Sequence, residues 1–108
     1  MSAIFPTNNY PPRINVLSNY PRTTETITLD ETVIDIYLHN TDVNTFRLEL
    51  YGSALSIRQP LCPSVGTLIG SLYDVDRLTA RNENGHIIIR IPRYPDGRTK
   101  PPRIIPIL

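Results

Sequence analysis

The sequence predicts an all-β protein: a compact immunoglobulin-like antiparallel β-sandwich with extended N- and C-terminal arms. Three observations carry this. Between Thr23 and Ile91 the apolar residues alternate with period two, the repeat of a pleated strand with one face in a core, and no stretch follows the helical 3.6. Prolines crowd the ends, at Pro6, Pro11, Pro12 and Pro21 and again at Pro92, Pro95, Pro101, Pro102 and Pro106, which marks both ends as extended. Asn84-Gly85 stands between two alternating runs and supplies the positive φ angles of a tight hairpin.

The elements follow in order. An arm is expected over residues 1 to 22, the sandwich over 23 to 93 and a C-terminal extension over 94 to 108. Thr26-Ile27-Thr28-Leu29 is a short candidate strand. Val33 to Leu38 places Ile34, Ile36 and Leu38 on one face, and Phe46 to Leu50 does the same with Phe46, Leu48 and Leu50. The turn-rich His39-Asn40-Thr41-Asp42 between them suggests antiparallel neighbours. Gly52-Ser53 breaks the run, Leu55-Ser56-Ile57 begins another strand, and Pro60 and Pro63 bar a central strand after it. Thr67-Leu68-Ile69 is a further short candidate. The hairpin proper joins Leu78-Thr79-Ala80-Arg81 to Ile87-Ile88-Ile89-Arg90-Ile91, for six to eight strands in all.

Composition narrows the function classes. The 108 residues make one small domain with 40% hydrophobic and 7% aromatic residues, no Trp and a net charge of +1. No apolar run approaches the length of a membrane span, and no basic-led apolar start resembles a signal peptide, so a cytoplasmic protein is expected. Lone Cys62 excludes an internal disulfide or a zinc cluster, and is expected to be a half-buried loop thiol. The charge is uneven. Glu25, Asp30, Glu31, Asp35, Asp42 and Glu49 outweigh Arg47 and Arg58 in the middle, whereas Arg90, Arg93, Arg98, Lys100 and Arg103 face only Asp96 near the end. Every base but Lys100 is Arg, which favours paired carboxylate contacts within or between subunits.

The hairpin has a wider pattern around it. Ala80-Arg81-Asn82-Glu83-Asn84-Gly85-His86-Ile87-Ile88-Ile89-Arg90-Ile91-Pro92 resembles the signature of the α-crystallin domain of small heat shock proteins: an Ala, four residues, a Gly, an aliphatic strand with Ile87, Ile89 and Ile91, then Pro92. Tyr73 to Leu78 is similar to the Asp-containing turn that introduces that signature. Lys100 to Ile107 resembles the family's tail with its Ile-x-Ile anchor, here Ile105, Pro106 and Ile107. The segment from Arg58 to Tyr73 is shorter than in the family, where in many members it holds a strand exchanged between subunits. His86 also stands where a small aliphatic residue is common.

The resemblance implies an ATP-independent chaperone, a holdase that self-assembles and holds non-native client proteins. It implies a groove on a neighbouring subunit that receives the anchor, between the strands carrying Leu55 and Ile57 and those carrying Leu78 and Ala80. The residues support such a link independently. A small sandwich leaves sheet edges unpaired, and an extended tail with Ile105 and Ile107 on one face, its backbone restricted by Pro106, can cover one. Pro11-Pro12-Arg13-Ile14-Asn15-Val16 echoes Pro101-Pro102-Arg103-Ile104, which marks Ile14 and Val16 as a competing N-terminal anchor. Phe5, Ile14, Val16, Leu17 and Tyr20 are the arm's apolar residues for clients.

Catalytic chemistry is not expected. His39 and His86 are the only histidines, and nothing sets a base beside a nucleophile. Gly66 to Gly70 lacks the Lys of a phosphate loop, and Asp74 and Asp76 are expected as turn caps rather than metal ligands, so no cofactor is expected. The basic series near the end has only Tyr94 beside it for stacking, too little for a nucleic-acid platform. Two other readings fit the same strands: a β-sandwich structural or assembly protein of viral type, and a p23-like co-chaperone.

Overall fold

The computed structural model describes residues 11–95 and 104–107. Its eight strands are β1 (Arg13–Asn19), β2 (Arg22–Ile27), β3 (Glu31–Tyr37), β4 (Arg47–Tyr51), β5 (Ala54–Arg58), β6 (Val65–Leu68), β7 (Thr79–Glu83) and β8 (His86–Pro92). They form a five-stranded sheet ordered β1-β2-β3-β8-β7 and a three-stranded sheet ordered β4-β5-β6, with every pair antiparallel. The predicted all-β sandwich is therefore the architecture of the chain.

Alternation builds the core. Ile34 and Ile36 of β3, with Leu38 just beyond it, lie beside Ile87, Ile89 and Ile91 of β8, because the register sets Ile34 opposite Ile89 and Ile36 opposite Ile87. Leu55 and Ile57 of β5 and Ile69 close the core from the other layer. Burying each such side chain contributes about 1.5–3 kcal/mol. The β7–β8 hairpin turns where expected: Glu83 pairs with His86, while Asn84 and Gly85 take φ of 50° and 80°.

Two expectations need correction. Val33 to Leu38 and Phe46 to Leu50 are not neighbours, since β3 pairs with β2 and β8 while β4 pairs only with β5. The connection is too eventful for a hairpin. His39 and Asn40 adopt positive φ, and a 3-10 turn at Val43–Thr45, capped by the Asp42 side chain, carries the chain into the other sheet. The second concerns the arm expected over residues 1 to 22, which contains β1. This strand pairs with β2 from Arg13 opposite Ile27 to Asn19 opposite Arg22, so the sandwich begins before residue 23. Its register shifts between Val16 and Ser18, a bulge that leaves Leu17 packed against the core.

The sheets are bridged at one flank by a polar contact. Glu25 of β2 is buried between them, accepting from Asn15 Nδ2 of β1 at 3.2 Å and from Thr67 Oγ1 of β6 at 3.0 Å. With β6 lying against β1 and β2, β4 falls on the opposite flank, toward β7.

Candidate functional site

Five strands face three, so part of the larger sheet has no partner layer. The uncovered part is β7. All five of its residues are exposed, although Ala80 sits opposite Ile89 and therefore points to the core side. Leu78, just before the strand, is half-buried against the core. Across the gap, β4 is the outer strand of the smaller sheet. Leu48 pairs with Ile57 and Leu50 with Leu55, so both aim inward, and Leu50 is still 41% exposed. Leu48, Leu50, Leu78 and Ala80 thus border an apolar strip between two sheet edges, each edge with one row of unpaired backbone groups.

The groove expected from the sequence was bordered by Leu55, Ile57, Leu78 and Ala80. Leu78 and Ala80 lie on the strip, but Leu55 and Ile57 belong to β5, the central strand of its sheet, and are only 2% and 3% exposed. Their surface is already spent on the chain's own core. Strand order, which period-two patterning does not encode, makes β4 the accessible partner of β7. Among the hairpin residues, Ile87, Ile89 and Ile91 are core, Gly85 makes the turn and Pro92 ends β8.

The residues expected as the anchor are largely exposed. Residues 104–107 have no hydrogen-bonded secondary structure, and Ile105 and Ile107 are 72% and 99% exposed, with Pro106 exposed between them. Ile14 and Val16 are exposed as well, but on β1, held opposite Thr26 and Thr24. To act as a competing anchor they would have to leave the sheet. Phe5 lies outside the described residues.

The remaining polar groups form surface contacts. His86 Nδ1 is 2.7 Å from Asp35 Oδ1, and the His86 ring stacks obliquely on Tyr37, which in turn meets His39 edge-on. On the outer face of β4, Glu49 meets Arg58 Nε at 3.0 Å and accepts from Tyr51 Oη at 2.8 Å. That bond and the carboxylate's charge hold the Tyr51 hydroxyl above its ordinary pKa. Near the β8 end, partial burial and the charges of Asp74 and Asp76 raise Tyr94 in the same direction. Asp74 caps a 3-10 turn by accepting from Asp76 N, and Cys62 is a half-buried loop thiol. Among the described residues no group of three or more His, Cys, Asp or Glu side chains could hold a metal ion, and no helix is long and apolar enough to cross a membrane.

No protein-family model matches the sequence, and no curated protein matches it either. Solved structures do match. Heat shock protein 16.0 from Schizosaccharomyces pombe superposes with a TM-score of 0.65 at 18% identity, over 92% of this chain and 89% of that one. A small heat-shock protein from Xylella fastidiosa gives a TM-score of 0.51 at 17% identity, over 91% and 96%. The chain has the small heat shock protein fold.

Within this small heat shock protein fold, the short segment from Arg58 to Tyr73 is occupied by the chain's own β6, which pairs with β5 and forms the outer strand of the three-stranded sheet. The signature hairpin forms the opposite border of the larger sheet. The strip is therefore framed by β4 and the first strand of the hairpin, with the tail's two isoleucines unoccupied in a single chain.

Proposed function

We propose that this chain is an ATP-independent small heat shock protein-like chaperone, a non-enzymatic holdase that self-assembles through Ile105 and Ile107 and binds partly unfolded clients. The observation that carries this reading is the pairing of opposites on one chain: a β7 whose five residues are all exposed, and a tail whose two isoleucines are largely exposed to solvent. The receiving site on a second copy is the strip bordered by Leu48 and Leu50 on β4 and by Leu78 and Ala80. An extended Ile-Pro-Ile segment suits it, since side chains two apart share one face and Pro106 lowers the entropy lost on docking. Burying two Ile side chains contributes about 3–6 kcal/mol before ordering costs, so one link is weak and several per assembly are needed.

The likeness to two heat shock proteins, one of them described as having a distinct high order structure, supports the assembly part of the reading. Client binding rests on physical grounds. A partly unfolded protein exposes apolar segments and strand edges, and a strip vacated by a dissociating tail matches both. Light scattering on the intact chain and on Ile105→Ala/Ile107→Ala tests the anchor: the expected result is a large fall in mass, and an unchanged mass rejects it. Holdase activity is tested by heating an aggregation-prone protein with the intact chain. Suppressed scatter together with subunit exchange is expected. A fixed assembly that does neither favours a purely structural role.

A further inference from the structure

The flank opposite β7 carries an apolar cavity of about 500 Å³ that the tail-anchoring reading does not use. Pro11 and Arg13 at the start of β1 form one wall, Ile27 and Leu29 at the end of β2 another, and Leu72 and Tyr73 the third. These walls are fixed in advance. Tyr73 Oη donates to the Thr28 carbonyl, the Leu72 carbonyl accepts from Tyr94 N at 3.0 Å, and Arg93 Nη1 donates to the Leu29 carbonyl at 3.3 Å. A cavity held open by hydrogen bonds of its own frame needs little reorganisation to take a ligand.

We propose that this cavity seats the chain's own N-terminal segment, with the Phe5 ring in the cavity and Ile4 and Pro6 on its rim. Three observations select this occupant. The described chain begins at Pro11, itself a lining residue, so the ten residues before it depart from the mouth of the cavity. Phe5 is six residue steps from Pro11, and at about 3.3 Å per step the segment reaches roughly 20 Å, ample for folding back. So short a tether also gives an effective concentration in the millimolar range, enough for one aromatic ring to dock without a larger interface. The third is charge. Residues 1 to 10 have no charged side chain, and among the described residues Arg13 is the one charged side chain that lines the cavity, whereas Arg98, Lys100 and Arg103 of the C-terminal segment would bring like charge toward it. Docking of this kind withdraws Phe5 from solvent and from clients.

The test places a photo-cross-linking benzoylphenylalanine at Phe5 in the full chain, irradiates it, and maps the linked peptides by mass spectrometry. Mixing isotope-labelled with unlabelled chains separates links within a chain from links between chains. Links to residues 27 to 29 or 70 to 73 of the same chain are expected, severalfold above those from the same photo-residue at Arg81 on the outer face of β7. Leu72→Asp, or Leu72→Ser as the milder variant with an unchanged circular dichroism spectrum, is expected to abolish most of them. Links to Leu48–Leu50, to Leu78–Ala80, to the C-terminal tail or to a neighbouring chain overturn the proposal, as does a yield no higher than the Arg81 control.

Discussion

Thr67 on β6 donates its hydroxyl to the buried carboxylate of Glu25 on β2 at 3.0 Å, one of the few polar contacts that cross between the two sheets. Glu25 is only 4% exposed and, among the described residues, has one other side-chain donor, the Asn15 amide of β1. Removing either partner alone leaves a polar group in the interior without its bond, whereas replacing both with apolar side chains removes the need for one. Thr67→Val is therefore expected to lower stability by about 1–3 kcal/mol, and Glu25→Leu/Thr67→Val to recover most of that loss. Urea unfolding of the two variants measures it. Equal destabilisation by single and double variants would show that the contact contributes nothing specific.

The hairpin turn allows a cleaner backbone test. Gly85 has φ of 80°, and a Cβ built there meets no atom within 4 Å, so any cost of a side chain comes from the backbone alone. Gly85→Ala should destabilise by about 1–2 kcal/mol, the cost of holding a residue with a Cβ in the left-handed region. Asn84→Gly, at a φ of 50°, should be nearly neutral. Thermal melts of both variants read the difference.

That hairpin, with Ile34, Ile36, Leu38, Ile87, Ile89 and Ile91, was legible because local turn chemistry and strict alternation both survive into the fold. β1 was hidden for an opposite reason. Its exposed apolar residues Ile14 and Val16 share a face with Thr26 and Thr24, Asn15 points to Glu25, and a bulge turns Leu17 inward out of phase. A period-two reading fails where the strand's phase shifts and where the inner face carries polar groups. The strip between β4 and β7 was legible only in part. Alternation shows which side chains of β4 and β5 face inward but not which strand lies at the edge, and that order decides whether Leu50 or Leu55 is open to a visitor. Glu25 as an interior acceptor left no sequence signal apart from its place in the polar run Thr23 to Thr26.

Tyr51 gives a prediction in pH. Its hydroxyl donates to Glu49, and this hydrogen bond with the carboxylate's charge favours the neutral phenol over phenolate, against the opposing pull of Arg58 and Arg47. The folded-state pKa thus lies above the ordinary 10.0. A raised pKa contributes stability that is fully present below the unfolded value and disappears as pH climbs through the folded one. Glu49→Gln should move Tyr51 ionisation down toward the ordinary value. Near-ultraviolet titration of the intact chain and this variant, each compared with a Tyr51→Phe counterpart, isolates the one phenol. A Tyr51 titration unchanged by Glu49→Gln would mean the contact does not persist in solution.

Ala80 offers the sharpest test of where the tail docks. It points to the core side of β7 yet is exposed, because no strand of the smaller sheet covers it. A charge there costs the isolated sandwich little, within about 0.5 kcal/mol, since it stays in water. The same charge beneath a docked Ile105 or Ile107 would be desolvated without a partner. Ala80→Asp should therefore leave the unfolding midpoint of the sandwich near its original value and reduce the assembled mass about as far as Ile105→Ala/Ile107→Ala does. Combining the two should give no further fall, because both remove one contact from its two sides. Light scattering on the three variants decides the matter. If Ala80→Asp assembles normally while the tail variant does not, the tail has a different seat, and the strip between β4 and β7 loses its role in assembly.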